Sequence, residues 1–142
     1  MKRIAFLTTL ALVLVLTACG GSKSLTVQNV WARPGVGGQN SAVYFVIDNP
    51  GGQADNLLDA SSDIADAVEL HKSEMGDNGE MKMIHQEKIP VPAKGQVEFK
   101  PGGFHVMLIG LKRDLNPGDT FQVTLHFEKA GDITLDVPVK QP

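Results

Sequence analysis

The sequence predicts an all-β domain, an antiparallel sandwich of seven or eight short strands. Three observations carry that expectation. β-branched and aromatic runs recur along the chain, turn residues punctuate them every 8 to 12 positions, and no stretch holds a convincing helical period. The first candidate strand is Leu25–Trp31, followed by a loop over Arg33–Gly38 that contains Pro34 and three glycines. Ser41–Asn49 (SAVYFVIDN) is the second, stopped by Pro50-Gly51-Gly52. Residues 54–64 hold the Leu57-Leu58 pair and then a polar loop, and Ser61–Val68 is the best helical candidate, of one or two turns at most. Ala67–His71 and Met81–Glu87 read as a hairpin closed by Gly76-Asp77-Asn78-Gly79. Val97–Lys100 alternates and His105–Leu111 does so more loosely, with Pro101-Gly102-Gly103 between them. Thr120–Glu128 and Asp132–Val139 finish the chain, Pro138 marking an edge or an end. No internal repeat or low-complexity tract interrupts this series.

The first 18 residues have the proportions of a secretory signal. Lys2 and Arg3 precede an apolar run from Ile4 to Leu16, too short for a comfortable membrane span. The run meets Leu16-Thr17-Ala18-Cys19, which resembles the bacterial lipobox, and the chain's sole cysteine stands at the position that motif requires. The resemblance implies cleavage before Cys19, lipidation of its thiol and tethering of an exported domain. Each buried acyl CH₂ contributes about 0.8 kcal/mol, so two or three chains hold a small domain at a membrane. The expected organisation is a lipoprotein signal over residues 1–18, a lipidated linker over 19–24 and one domain over 25–142. Gly20, rather than Asp, follows the cysteine, which in a Gram-negative cell favours the outer membrane.

Cleavage would leave 124 residues, enough for one domain with a real core, and losing Lys2 and Arg3 shifts the formal charge from −3 to −5. No basic patch appears, which argues against nucleic acid and against charge-driven binding to anionic lipid. With Cys19 assigned to lipid, no disulfide can form within the chain. No long apolar run demands a partner subunit, so a monomer is expected.

The chemistry concentrates in one 37-residue stretch holding His71, Met83, His105 and Met107. Two imidazoles and two thioethers suit Cu(I). Hard ions ignore thioethers, and Zn²⁺ seldom uses them. A lone strand histidine such as His126 is more often a surface or satisfied residue, and methionine is usually a filler of cores. The combination shifts that balance. Three of the four histidines, and every methionine except Met1, lie between residues 71 and 107. Residues two apart on a strand share a face, so His105 and Met107 point one way while Val106 and Leu108 point into the opposite layer. Met81, Met83 and His85 likewise share a face of what reads as the next strand inward. Gly102-Gly103 permits close backbone approach beside His105, and Gly76 and Gly79 let the hairpin bring His71 and Met83 together. These residues leave a Cu(I) site, a Met-rich peptide-binding surface and a plain sandwich as alternatives.

At this point the chain resembles the periplasmic copper chaperones called PCuAC. Their pattern is a histidine, about ten residues, a methionine, 21 residues and His-x-Met. Here eleven residues separate His71 from Met83, and 21 separate Met83 from His105-Val106-Met107. Val68-Glu69-Leu70-His71, Met81-Lys82-Met83 and Lys100–Leu108 (KPGGFHVML) frame the pattern, and Trp31-Ala32-Arg33-Pro34, Ala42-Val43-Tyr44-Phe45, Asn49 and Asp55–Leu58 resemble the family's first half. The likeness spans residues 25–139. It implies a cupredoxin-like, Greek-key β-sandwich and one Cu(I) per chain held by His71, Met83, His105 and Met107. The extra residue after His71 makes Met81 or Met75 an alternate for Met83, whereas the 21-residue spacing favours Met83. Some relatives carry a His- and Met-rich tail for a second copper as Cu(II). This chain ends Val139-Lys140-Gln141-Pro142 without one, so a single copper is expected.

The resemblance implies delivery to the CuA centre of cytochrome c oxidase, alongside a Sco-type thiol protein. Weak thioethers on a shallow site would allow a recipient's donors to replace them one at a time. Copper affinity should fall as pH drops through roughly 6.5, because histidine binds only when neutral. Four rivals stand against delivery. Blue-copper electron transfer needs a cysteine thiolate, and Cys19 is at the wrong end. A copper oxidase needs several nitrogen ligands for Cu(II), which the Met-rich set does not offer. A storage, resistance or sensing lipoprotein would use the same site. A metal-free peptide-binding sandwich predicts that His71 and His105 lie far apart.

Overall fold

The structure, a computed structural model, describes residues 24–141. The expected signal peptide, Cys19 and nearly all of the linker lie outside the described residues. Ten strands form two sheets: β1 (Thr26–Ala32), β2 (Ser41–Asn49), β3 (Asp55–Ser61), β4 (Ala65–Met75), β5 (Met81–His85), β6 (Ile89–Val91), β7 (Gly95–Phe99), β8 (Phe104–Leu111), β9 (Thr120–Phe127) and β10 (Gly131–Pro138). The larger sheet runs β1-β2-β7-β8-β4-β5 and the smaller β10-β9-β3-β6. Strand pairing among the described residues is antiparallel except at Phe99 with Phe104, where the Pro101-Gly102-Gly103 turn links β7 to β8, and at the isolated bridge of Ala32 with Val139.

Side chains alternate between the outward and inter-sheet faces, and the inter-sheet set forms the core. Val43, Phe45 and Ile47 of β2, Leu70 of β4 and Val106 and Leu108 of β8 turn inward from the large sheet. They meet Leu57 of β3, Val123 and Leu125 of β9 and Val137 of β10 from the small one. Phe45 and Phe99 stack at 4.3 Å between centroids. The buried Asp55 carboxylate pins the β9–β10 turn, accepting hydrogen bonds from the Lys129 and Ala130 backbone amides at 2.9 and 2.8 Å. These bonds supply the partners that a buried polar group needs away from water.

Several expectations need correction. The described residues form ten strands rather than the expected seven or eight. Ser61–Val68 is not helical: Ser61 ends β3, and Ala65 already pairs with Leu111 as β4 begins. Burial of Ile64 and Ala65 in the sandwich outweighs a weak local helical preference. β4 continues four residues beyond His71 to Met75. Strand β5 is the edge of the large sheet, beyond β4, not the next strand inward. The unforeseen β6 places Ile89 and Val91 in the core around Pro90, which is tolerated because β6 is an edge strand.

Candidate metal site

The outward face of the large sheet carries the donors. On β4, Glu69, His71, Ser73 and Met75 occupy alternate positions, and the register sets each against a residue of the neighbouring strands. His71 stands opposite His105 of β8 and opposite His85 of β5, Glu69 opposite Met107, Ser73 opposite Met83, and Met75 opposite Met81. Met107 in turn faces Ala42 of β2. Val106 and Leu108 do point into the opposite, buried layer.

His105 is 3% exposed, and its ring centroid lies 5.9 Å from that of His71. A cleft of about 300 Å³ opens on this face, lined by Tyr44, Ser73, Met81, Met83, His105 and Met107, with Arg33 and Gly102 at its border. His71 does not line the cleft but lies on β4 beside it, two residues before Ser73, which does. Of the expected donors, then, Met83, His105 and Met107 share the cleft wall and His71 adjoins it. Of the two alternates, Met81 joins Met83 in the cleft, whereas Met75 is outside it at the hairpin end. His126 is elsewhere, hydrogen-bonded to Asp132 at 2.7 Å and to Ser61 at 2.8 Å.

Hydrogen bonding fixes which nitrogen of each imidazole is free. His105 Nδ1 lies 3.1 Å from the Gly103 carbonyl, which can only accept, so Nδ1 carries the proton and Nε2 keeps its lone pair. His71 Nε2 lies 2.7 Å from a Glu69 carboxylate oxygen, so Nε2 donates and Nδ1 keeps the lone pair. His71 Nδ1 and His105 Nε2 are buried without a hydrogen-bond partner. A buried polar atom lacking a partner costs about 1–3 kcal/mol, and two such atoms on facing residues need a reason. Burial pushes the His105 pKa below its usual value. The Gly103 carbonyl opposes that shift, and nearby His71 and Arg33 add to it. The ring is therefore held neutral, the form that can bind a metal.

The turn before β8 supplies this arrangement. Gly102 has φ of +80°, which side chains rarely adopt, and Gly103 N–H bonds the Lys100 carbonyl at 2.9 Å. The same Gly103 carbonyl that orients His105 accepts the Ser73 amide at 3.0 Å, tying the turn to β4. Arg33 lies 5.9 Å above the Tyr44 ring at the far border. Burial raises the Tyr44 pKa, with the Arg33 charge opposing, so the phenol stays protonated.

Two nearby residues were not read from the sequence as part of a site. The side-chain donors of Glu69, His71 and His85 all lie within 4.8 Å of one another, with His85 Nδ1 3.7 Å from the Glu69 carboxylate. The signal that could have found them is the alternation Glu69-x-His71 on one strand, together with the hairpin register that returns His85 beside His71.

Residues 25–139 match the family described as "Putative lipoprotein LpqE-like". The chain belongs to that family. Among curated relatives of this LpqE-like chain, "Uncharacterized protein RP573" of Rickettsia prowazekii is 39% identical over 104 residues, covering 69% of this chain and 56% of that protein. "Putative lipoprotein Lxx21020" of Leifsonia xyli subsp. xyli is 29% identical over 114 residues, covering 80% of this chain and 68% of that protein. The chain thus spans between half and about two thirds of the length of these relatives. Among solved structures, the copper-bound PCuAC domain from PmoF2 superposes with a TM-score of 0.70 at 25% identity, over 85% of this chain and 96% of that domain. The Cu(I) form of DR1885 from Deinococcus radiodurans superposes with a TM-score of 0.62 at 29% identity, over 85% of this chain and 83% of that one. This chain therefore has the cupredoxin-like β-sandwich fold of PCuAC domains.

Proposed function

We propose that this chain is an exported, lipid-anchored copper chaperone holding one Cu(I) through His71, Met83, His105 and Met107. The observation that carries the reading is the pair of buried nitrogens without a hydrogen-bond partner, His71 Nδ1 and His105 Nε2, on the face that also carries Met83 and Met107. The His₂Met₂ set matches a soft monovalent ion and gives Cu(II) too few nitrogen and oxygen donors. Likeness to a copper-bound PCuAC domain and to the Cu(I) form of DR1885 supports copper as the cargo. A metal-free sandwich predicts separated histidines, whereas these two are cross-strand neighbours.

The chemistry proposed is binding and release, not turnover. Glu69 and the Gly103 carbonyl orient the two rings, which lowers the cost of assembling the site. Met81 and Met83 are more than half exposed on an edge strand, so an incoming donor can reach copper from that side and displace a thioether first. By family resemblance the recipient is a CuA centre of cytochrome c oxidase, with a Sco-type protein as co-worker. Membership of a family described as lipoproteins supports Cys19 as the anchor and the cell envelope as the location.

The test is a Cu(I) titration of the full-length protein against a competing chelator, beside a His105→Ala, Met107→Ala double variant. One tightly held equivalent, lost in the variant, is the expected result. A parent protein that never competes for copper would sink the reading.

A further inference from the structure

We infer that Glu69, His71 and His85 form a second metal site, for a divalent cation that prefers nitrogen and oxygen donors, on the opposite edge of the His71 ring from the Cu(I) donors. It lies beside the proposed Cu(I) site but does not depend on copper binding there.

The geometry carries it. Glu69 and His71 are two apart on β4, and His85 is the cross-strand partner of His71 on β5, so three donors emerge on one face from two hydrogen-bonded strands. Glu69 Oε2 is 2.7 Å from His71 Nε2 and 3.7 Å from His85 Nδ1, and the three donor atoms fall within 4.8 Å of each other. Ligands at about 2.0–2.1 Å in a tetrahedron stand roughly 3.3–3.4 Å apart, so seating an ion would open the Glu69–His71 contact from 2.7 Å, close the Glu69–His85 one from 3.7 Å and turn the exposed His85 side chain toward His71. The donor set, two imidazoles and one carboxylate with an open fourth position for water, suits Zn²⁺ and Cu²⁺ and contains no thioether. His85 is 57% exposed and Glu69 39%, which leaves an entry path from solvent, while the 12%-exposed His71 anchors the group.

The two sites share one imidazole and use different atoms of it. In the hydrogen-bonded state His71 Nε2 carries the proton and Nδ1 is free. A divalent ion on Nε2 displaces that proton, and the neutral ring then carries its single proton on Nδ1. A neutral imidazole has one lone pair in the ring plane, so a divalent ion on Nε2 and Cu(I) on Nδ1 exclude each other. The arrangement would let the protein answer to the metal supplied: an N/O site for a divalent ion, an N/S site for Cu(I).

Zn²⁺ alone is the probe, because it has no redox chemistry and seldom takes thioethers. Titrated against a chromogenic competitor, the full-length protein is expected to bind one Zn²⁺, at least ten-fold more weakly in His85→Ala. Zinc absorption spectroscopy should show only nitrogen and oxygen neighbours. His85→Ala keeps Cu(I) binding within a factor of three, and Met107→Leu keeps Zn²⁺ binding. Failure to bind Zn²⁺, unchanged binding in His85→Ala, or a sulfur neighbour to zinc would overturn the inference. Loss of Cu(I) binding in the parent would overturn the chaperone reading and leave this one standing.

Discussion

His105 joins the chemistry of the site to the stability of the domain. Its ring is 3% exposed and its pKa is held below 6.5 chiefly by burial, whereas in the unfolded chain it titrates near 6.5. Between the two values the unfolded state holds a proton that the folded state lacks, so stability rises with pH across that window. The copper-free protein should therefore lose stability as pH falls through about 6.5, levelling off once the folded pKa is passed. Urea unfolding from pH 8 to pH 5 measures this, and a His105→Gln variant should show a flatter profile. A profile equally steep in the variant would place the titration on another group. Glu69 and the Gly103 carbonyl act on the same scale, each choosing a tautomer by being able only to accept.

At the scale of elements, the β4–β5 hairpin places two of the cleft's thioethers. Its turn closes with the Gly76 amide on the Glu80 carbonyl at 2.7 Å and the Gly79 amide on the Gly76 carbonyl at 3.0 Å, with Gly79 at φ +84°. A β-branched residue there is strained, and left-handed backbone costs it about 1–3 kcal/mol. Gly79→Val should loosen β5 and weaken Cu(I) binding by roughly ten-fold or more while the thermal midpoint changes little, since every residue of β5 is exposed. Equal losses in both would mean that β5 supports the core. Most of this architecture was legible in the sequence. The alternation of Val106 and Leu108 against His105 and Met107 gave the faces of β8, and Gly76–Gly79 gave the turn. The polar run Lys72-Ser73-Glu74 concealed the far half of β4, because an outward sheet face close to the edge needs no apolar pattern. Three-residue β6, centred on Pro90, carries no readable period. Glu69 and His85 were missed for a different reason: their meeting depends on register across a turn, which spacing along one strand does not reveal.

Over the whole molecule, two sheets close an apolar interior, and the donors sit on the surface that faces away from it. Substitution inside the core should thus leave the donors in place. Leu125 of β9 is fully buried in the far sheet, and Leu125→Ala should destabilise the fold by about 2–5 kcal/mol, read by chemical denaturation, without altering copper stoichiometry. A variant that folds yet binds no copper would contradict the separation. The same separation leaves the edge strand governed by arithmetic. Since β5 is exposed on both sides, no burial holds it in step, and a slip of one residue against β4 would bring Lys82 and Ile84 to the donor side and carry Met81, Met83 and His85 to the reverse. Such a chain would melt and sediment like the parent while keeping only His71, His105 and Met107 of the four proposed copper donors on that face. Whether the proposed copper site has its fourth donor, Met83, therefore depends on the parity of a short turn, a property that no measurement of the core would detect.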